Sequence, residues 1–183
     1  MSYQVSPLRA ADAEVIGPGH NRVWRVAYRG LLPDEVFDAR SDEDSTRRWR
    51  ERGRQHDRTG QSVEGAITWV ARDLTGAPVG WASAGPARDD DAPAELELWS
   101  LYLLPEHWGS GAARQLVEAA LGERAAYLWV LQGNERALAF YRRQGFVEDG
   151  STQELAGTGA TELRMVRGVT PAWERPCGRS AST

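Results

Sequence analysis

The sequence predicts a single mixed α/β domain, and two observations carry that prediction. The chain has 183 residues, a length that fits one domain around one core. Along it, strand-like apolar runs alternate with segments whose apolar residues recur at helical spacing, which indicates helices packed against a sheet. We expect the domain over residues 1–167 and a disordered tail over residues 168–183, where glycine, proline and serine are frequent.

The N-terminal segment predicts a strand followed by a helix. Residues 3–8 (YQVSPL) are typical of a short edge strand, because a sheet edge tolerates proline. The Gly-Pro-Gly run at 17–19 breaks the helical pattern that follows. We therefore expect the first long helix to begin near Pro18, with proline in its first turn, and to end near Arg29.

A further helix and a hairpin are predicted next. Ser41, followed by three acidic residues, is typical of a helix N-cap, and we expect this helix to end near Gly53. Strands over 66–73 and 77–87 flank the turn sequence at 74–76, which indicates a hairpin.

The C-terminal half alternates strands and helices after an acidic run at 89–91, which we expect to be a solvated loop. The predicted strands cover residues 95–104, 126–132, 146–149 and 161–167. The predicted helices cover residues 111–122 and 134–145.

Composition argues against several classes of protein. The net charge is −4 and no long basic tract is present, which disfavours a nucleic-acid binder. The N-terminus lacks the pattern of a signal peptide and no apolar run approaches a membrane span, so we expect a cytoplasmic protein without membrane contact. The single cysteine, Cys177, forms no intrachain disulfide, and the three histidines lack metal-ligand spacing, so no metal is expected.

A glycine-rich turn joins strand 95–104 to the helix that follows. Gly109 and Gly111 precede the first helical turn, whose unpaired N–H groups bind anions such as phosphate when no Cβ blocks the backbone. A purely structural turn explains the pair of glycines equally well. The nucleotide-binding loop that needs lysine is excluded because the chain has none. The dinucleotide fingerprint also fails, because Arg114 stands where glycine or alanine is required and Gln132 where an acid is required.

Two segments resemble signatures of the Gcn5-related N-acetyltransferase (GNAT) family. Residues 108–113 (WGSGAA) resemble its coenzyme A loop, Gln/Arg-x-x-Gly-x-Gly/Ala, with Trp108 in place of the leading polar residue. Residues 133–150 (GNERALAFYRRQGFVEDG) resemble its second signature, in which an asparagine opens a helix and a tyrosine follows seven residues later. Residues 23–38 resemble the first-helix region of bacterial members. The similarity extends over roughly residues 3–167.

The resemblance implies a mostly antiparallel central sheet with flanking helices, in which strands 95–104 and 126–132 splay apart to hold acetyl-CoA as co-substrate. Backbone amides on the first of these strands then polarise the thioester carbonyl. The residues that the resemblance assigns to the coenzyme are Leu101, Tyr102, Leu103, Trp108, Gly109, Ser110, Gly111, Ala112, Ala113, Arg114 and Asn134.

Two side chains are the candidate catalysts of acetyl transfer. An alkylammonium must lose a proton before it attacks, and Glu97 matches the family's strand acid. Tyr141 matches the family's usual proton donor to the leaving thiolate. On an alternating strand Glu95 shares a face with Glu97 and is a candidate to bind the cationic amine. The alternatives are a solvated strand face for the two acids and a packing role for Tyr141.

Aromatic side chains are the candidates for the acceptor site. Trp24, Tyr28 and Trp99 are candidates for an aromatic acceptor site, although aromatic side chains at helical spacing are more often core. An antibiotic amine, a polyamine, an amino acid and a protein N-terminus all remain open, as does a longer acyl donor. The alternative to an enzyme is a non-catalytic acyl-CoA sensor. A homodimer is the default assembly for this architecture.

Overall fold

The computed structural model describes residues 3–62 and 64–168, which form one open sheet flanked by helices. In this part of the chain the strands are β1 (Gln4–Pro7), β2 (Ile67–Arg72), β3 (Pro78–Pro86), β4 (Leu96–Leu103), β5 (Ala126–Leu131), β6 (Val147–Leu155) and β7 (Ala160–Arg167). The α-helices are α1 (Ala13–Tyr28), α2 (Asp34–Asp38), α3 (Asp42–Thr59), α4 (Ala112–Leu121) and α5 (Glu135–Arg143). None of these helices is long and apolar enough to cross a bilayer.

The strand order of the sheet is β1-β2-β3-β4-β5-β7-β6, and the pairing between β4 and β5, in its middle, is short. Its other neighbouring strands are antiparallel, whereas β4 and β5 run parallel and pair only at Glu97 and Tyr127. In β4 the register shifts so that Trp99 is an extra residue opposite Ser83 and Ala84. Because a bulge bends its strand, β4 separates from β5 beyond Glu97. The predicted mostly antiparallel sheet with a splayed strand pair is confirmed.

Helices cover both faces of the sheet. Against one face, α4 and α5 bury a core that includes Leu116, Leu128 and Phe146. Against the other, α1 and α3 bury a second core around Trp49 and Trp81. The gap between β4 and β5 therefore opens between two packed layers, at the one place where the sheet does not separate them.

The prediction that α1 begins near Pro18 is wrong, because the helix begins at Ala13 and continues through Gly-Pro-Gly. Pro18 costs one backbone hydrogen bond, to the carbonyl four residues earlier. Gly17 is instead required by packing: a Cβ there would lie 2.3 Å from Thr46 Oγ1 and 2.6 Å from Thr46 Cα. The glycine thus marks a close approach of α1 to α3 rather than a helix end.

The predicted N-cap of α3 is confirmed, and its predicted end is wrong. The Ser41 hydroxyl accepts a hydrogen bond from the Asp44 N–H at 3.2 Å. The helix runs to Thr59 and ends at Gly60, whose φ of 77° is left-handed. Gly53 lies inside it, where a Cβ would stand 2.5 Å from the Ala10 Cα.

The first strand of the last hairpin is longer than predicted. The strand predicted over 146–149 extends to Leu155, with a register shift between Glu148 and Thr152 where it pairs with β7. The predicted tail from residue 169 onward, including Cys177, lies outside the described residues.

Candidate active site

A cavity of about 790 Å³ occupies the gap between β4 and β5, a volume typical of small-molecule sites. On the side of α4 and α5 its lining includes Gly109 and Tyr141. On the side of α1 it includes Trp24 and Tyr28. One cavity therefore reaches both faces of the sheet.

The glycine-rich turn forms the start of α4. Gly111 is the N-cap with φ of 92°, and Gly109 has φ of 74°, conformations that other residues rarely adopt. A Cβ on either glycine would meet nothing within 4 Å. The Ala112 N–H donates to Ser110 Oγ at 3.4 Å. The N–H groups of Ala113 and Arg114, two residues that line the cavity, have no partner within the helix and carry partial positive charge. Conformation requires these glycines, and the space beside them leaves the amides accessible to an anion.

Trp108 holds this turn against the sheet. Its indole Nε1 donates to the Leu103 carbonyl at 2.9 Å. The Arg136 guanidinium, from α5, stacks 3.2 Å from the centre of the Trp108 ring. Arg136 also lines the cavity, as do Arg114 and Arg143. Arg136 was missed by the sequence prediction, because nothing local links it to the turn 25 residues earlier.

Most of the residues predicted to bind the coenzyme line the cavity. Those that do are Leu101, Tyr102, Leu103, Trp108, Gly109, Gly111, Ala113, Arg114 and Asn134. Ser110 and Ala112 do not, and Ala112 is fully buried in the core of α4. Tyr102 belongs to the α1 side of the sheet, where its ring lies 4.7 Å from that of His20.

The backbone of β4 points polar groups into the gap. The Leu104 N–H donates to the Val79 carbonyl at 2.9 Å and so faces β3. Successive N–H groups of a strand point to opposite edges, so those of Leu101 and Leu103 face β5. Since β5 pairs with β4 only at Glu97, these two amides open on the cavity as a pair of hydrogen-bond donors.

Tyr141 and Asn134 are positioned by α5. The Asn134 side chain accepts from the Ala137 N–H at 3.3 Å, which makes it the helix N-cap. Two turns later, Tyr141 is 8% exposed, and its ring packs edge-on against Phe140 and Phe146. Burial raises the pKa of Tyr141, so its hydroxyl remains a proton donor at neutral pH.

Glu97 is buried and fully hydrogen-bonded. Its carboxylate, 1% exposed, accepts from Arg88 Nε at 2.9 Å, from the second guanidinium nitrogen of Arg88 and from the Tyr127 hydroxyl at 3.0 Å. Burial raises the pKa of Tyr127 to about 12, which keeps the phenol a donor. Arg88 itself stacks 4.6 Å from the Trp99 ring centre. An approaching amine therefore finds both oxygens of Glu97 occupied.

The structure does not bring Glu95 to the cavity. It precedes β4, and its side chain is exposed and absent from the lining. The expectation that Glu95 opens into the cleft beside Glu97 is therefore corrected. Instead, Glu162 of β7 lines the α1 side of the cavity.

Aromatic side chains enclose that side. Trp24 and Tyr28 meet edge-to-face with ring centres 5.1 Å apart, and Trp99 and Trp129 also line the cavity. Burial raises the pKa of Tyr28. Of the predicted aromatic candidates, Trp24 and Tyr28 thus lie together on the α1 side, and Trp99 lines the same cavity.

The acidic run at 89–91 is solvated as expected at Asp90 and Asp91, which are exposed, but it is also attached to the sheet. Asp89 accepts from the Trp129 indole N–H at 2.9 Å. Asp91 and Asp149 both accept from Arg164, at 3.0 and 2.8 Å. Arg164 is 6% exposed, and such a buried cation requires acidic partners. These contacts fix the loop that carries Arg88.

No group of three or more potential metal-ligating side chains occurs within residues 3–62 and 64–168.

Comparison with known proteins agrees with this geometry. A model of the acetyltransferase (GNAT) family matches residues 26–146. YuaI, an uncharacterised N-acetyltransferase of Bacillus subtilis (strain 168), is 26% identical over 169 residues, covering 88% of this chain and 90% of the relative. A mycothiol acetyltransferase of Segniliparus rotundus is 35% identical over 79 residues, covering 42% of this chain and 28% of the relative.

Solved structures share the fold. The PaiA N-acetyltransferase of Thermoplasma acidophilum in complex with coenzyme A superposes with a TM-score of 0.66 at 18% identity, covering 91% of this chain and 99% of that one. YjaB of Escherichia coli superposes with a TM-score of 0.65 at 20% identity, covering 93% and 100%. Since the family model covers well over half of the sequence, the chain belongs to the GNAT family of N-acetyltransferases.

Proposed function

We propose that the protein transfers the acetyl group of acetyl-CoA to a primary amine of a small molecule or peptide, by direct attack within a ternary complex. The observation that carries the proposal is the single cavity that reaches both faces of the sheet through the gap between β4 and β5. Coenzyme A enters beside the glycine turn and the acceptor from the aromatic end. No covalent enzyme intermediate is required.

The α4 side suits the anionic coenzyme. The first amides of α4 and the guanidinium groups of Arg114, Arg136 and Arg143 favour a diphosphate there. The PaiA N-acetyltransferase of the same fold was solved with coenzyme A, which supports this assignment. The amides of Leu101 and Leu103 are the proposed donors to the thioester oxygen.

The proposed reaction balances protons between two side chains. Glu97 accepts a proton from the bound ammonium, which requires Arg88 to release one carboxylate oxygen. The amine then attacks the carbonyl carbon, and the amides of β4 stabilise the negative oxygen of the tetrahedral intermediate. When the carbon–sulfur bond breaks, Tyr141 donates a proton to the thiolate. The attacking nitrogen loses its second proton, which returns to the Tyr141 phenolate through solvent, and Glu97 releases its proton to solvent. Overall one proton is released for each ammonium acetylated.

Calorimetric titration with acetyl-CoA and free coenzyme A, with NADH as the control nucleotide, tests the donor. We expect binding of both coenzyme forms and none of NADH. Thiol release is then measured with a panel of amines. Absence of acetyl-CoA binding would remove the main support for the enzyme.

Two variants separate catalysis from mere binding. Glu97→Gln removes the proposed base, and Tyr141→Phe removes the proposed acid, while each preserves side-chain shape. General acid or base catalysis contributes about 100- to 10,000-fold, so we expect at least the lower loss in kcat from each variant, with acetyl-CoA affinity retained. Unaltered turnover in both variants would show that the catalytic assignment is wrong.

A further inference from the structure

Glu162 is the acidic side chain best placed to meet an acceptor amine. It lies near the start of β7, opposite Leu131 of β5 and Gln153 of β6. Residues directly opposite in antiparallel strands share a face, and Leu131 packs with Trp24 and Tyr28 on the α1 side. Glu162 therefore faces the aromatic end of the cavity, which it lines.

Its carboxylate retains hydrogen-bonding capacity that Glu97 lacks. One oxygen, Oε2, accepts from the Gln153 amide at 2.9 Å. Within the described residues no basic side chain lies within 4.0 Å of it, whereas Glu97 is paired with Arg88. Burial raises the pKa of the Glu162 carboxyl, while the Gln153 hydrogen bond and the Arg88 charge act in the opposite direction. An incoming ammonium supplies the missing donors.

The surroundings of Glu162 restrict the rest of the ligand. Tyr28 and Tyr102 lie within electrostatic range of the carboxylate, and Leu131 and Leu155 add aliphatic walls. Besides Glu97, the lining contains one more acid, Glu154, which is exposed and whose Oε1 accepts from the Gly159 N–H at 3.2 Å. The Arg88 guanidinium acts electrostatically on Glu162 but is paired with Glu97. Among the described residues, this end of the cavity thus offers one half-buried carboxylate without an ion-pair partner, beside aromatic and aliphatic side chains.

We infer that Glu162 binds the acceptor's ammonium group, and that the acceptor is a monocationic primary amine on an apolar or aromatic body. The inference rests on the proposed function and deepens it. Glu162 takes the amine-binding role expected of Glu95, while Glu97 remains the proposed base. A polyamine fits less well, because the other acids of the lining are Glu97, which Arg88 neutralises, and Glu154, which is exposed, so neither offers a buried partner to a second cation.

The test measures equilibrium binding of 2-phenylethylamine to the protein saturated with coenzyme A, by calorimetry at neutral pH. A charge-assisted hydrogen bond contributes about 1.5–3 kcal/mol, so Glu162→Gln should weaken binding by about tenfold to a hundredfold. 2-Phenylethanol, which lacks the charge, and spermidine, which carries extra charges, should both bind more weakly than 2-phenylethylamine. Glu118→Gln, an equal charge change on the exposed side of α4, should leave binding unchanged.

Failures of the two proposals are distinguishable. Each variant is first titrated with acetyl-CoA, and an affinity within about twofold of wild type shows that Glu162→Gln is folded. If acetyl-CoA binds but 2-phenylethylamine does not, or if Glu162→Gln binds the amine like wild type, the inference about Glu162 is overturned and the proposed function stands.

Tighter binding of spermidine than of 2-phenylethylamine would overturn the inference that the acceptor is monocationic. If the Gln variant does not fold, Glu162→Asp, which keeps the charge, must retain most of the amine affinity. Loss of acetyl-CoA binding by wild type counts against the proposed function.

Discussion

Alanine at Gly111 should damage coenzyme binding beyond its effect on stability. Gly111 has φ of 92°, a conformation that costs a residue with a Cβ about 1–2 kcal/mol. Gly76, in the turn between β2 and β3, has φ of 85° and equally open surroundings. Gly76→Ala is therefore a matched control that imposes similar backbone strain far from the cavity.

The magnitudes of the two effects follow from the geometry. With about 2.1 cal/mol/K of unfolding entropy per residue, a chain of 183 residues loses roughly 3–5 °C of melting temperature for that strain. We expect this loss in both variants. Of the two glycines only Gly111 lines the cavity, so only there would the new Cβ occupy space proposed for the diphosphate. The affinity for acetyl-CoA should therefore fall by about tenfold in Gly111→Ala, equivalent to about 1.4 kcal/mol, and stay unchanged in Gly76→Ala.

Thermal melting and calorimetric titration of acetyl-CoA, on the same preparations, measure the two effects separately. If both variants lose melting temperature and both keep wild-type affinity, the glycine serves only the backbone turn and the reasoning about the anion site is refuted. If both lose affinity, the effect is general destabilisation rather than local obstruction.

Two further predictions concern packing and pH. Gly17→Ala should destabilise the fold by about 1–3 kcal/mol, because the new Cβ meets the Thr46 backbone, 2.6 Å from its Cα; an unchanged urea midpoint would contradict the close approach of α1 to α3. Burial, together with the charge of nearby arginines, lowers the pKa of His20 from 6.5 to about 3. Between these two pH values His20 is protonated in the unfolded chain but not in the native state. The free energy of unfolding therefore falls as pH drops from about 6.5 towards 3. His20→Gln should make that decline shallower in urea titrations, and an equally steep decline would show that His20 is protonated in the native state.

Local patterns predicted most elements, because apolar residues recur with a different period in strands and in helices. The hairpin from β2 to β3 and the turn before α4 were found from residues adjacent in sequence. The start of α1 was missed because Gly17 is required by its close packing against Thr46, 29 residues later. In sequence, a glycine required by close packing cannot be told from a glycine that ends a helix.

Prediction of the site failed where it depended on pairing between strands. Glu95 and Glu97 alternate correctly for a strand, but β4 begins only at Leu96, and Glu95 stays exposed. Glu162 reaches the cavity through the register of β7 with β5, which no motif in the sequence encodes. The ion pair between Glu97 and Arg88 was hidden for the same reason, because it joins a strand to a loop folded back over it.

We propose that Arg136, on α5, supplies the charge that the family's polar loop residue would supply at the position of Trp108. The indole cannot offer a cation to a diphosphate, but its ring seats the Arg136 guanidinium, and its N–H anchors the turn to the Leu103 carbonyl. The positive charge is thereby supplied by α5 instead of by the turn itself. The stacking of Arg136 on Trp108 also links the turn before α4 to α5. The substitution changes which element carries the charge, and it leaves charge beside the glycine turn.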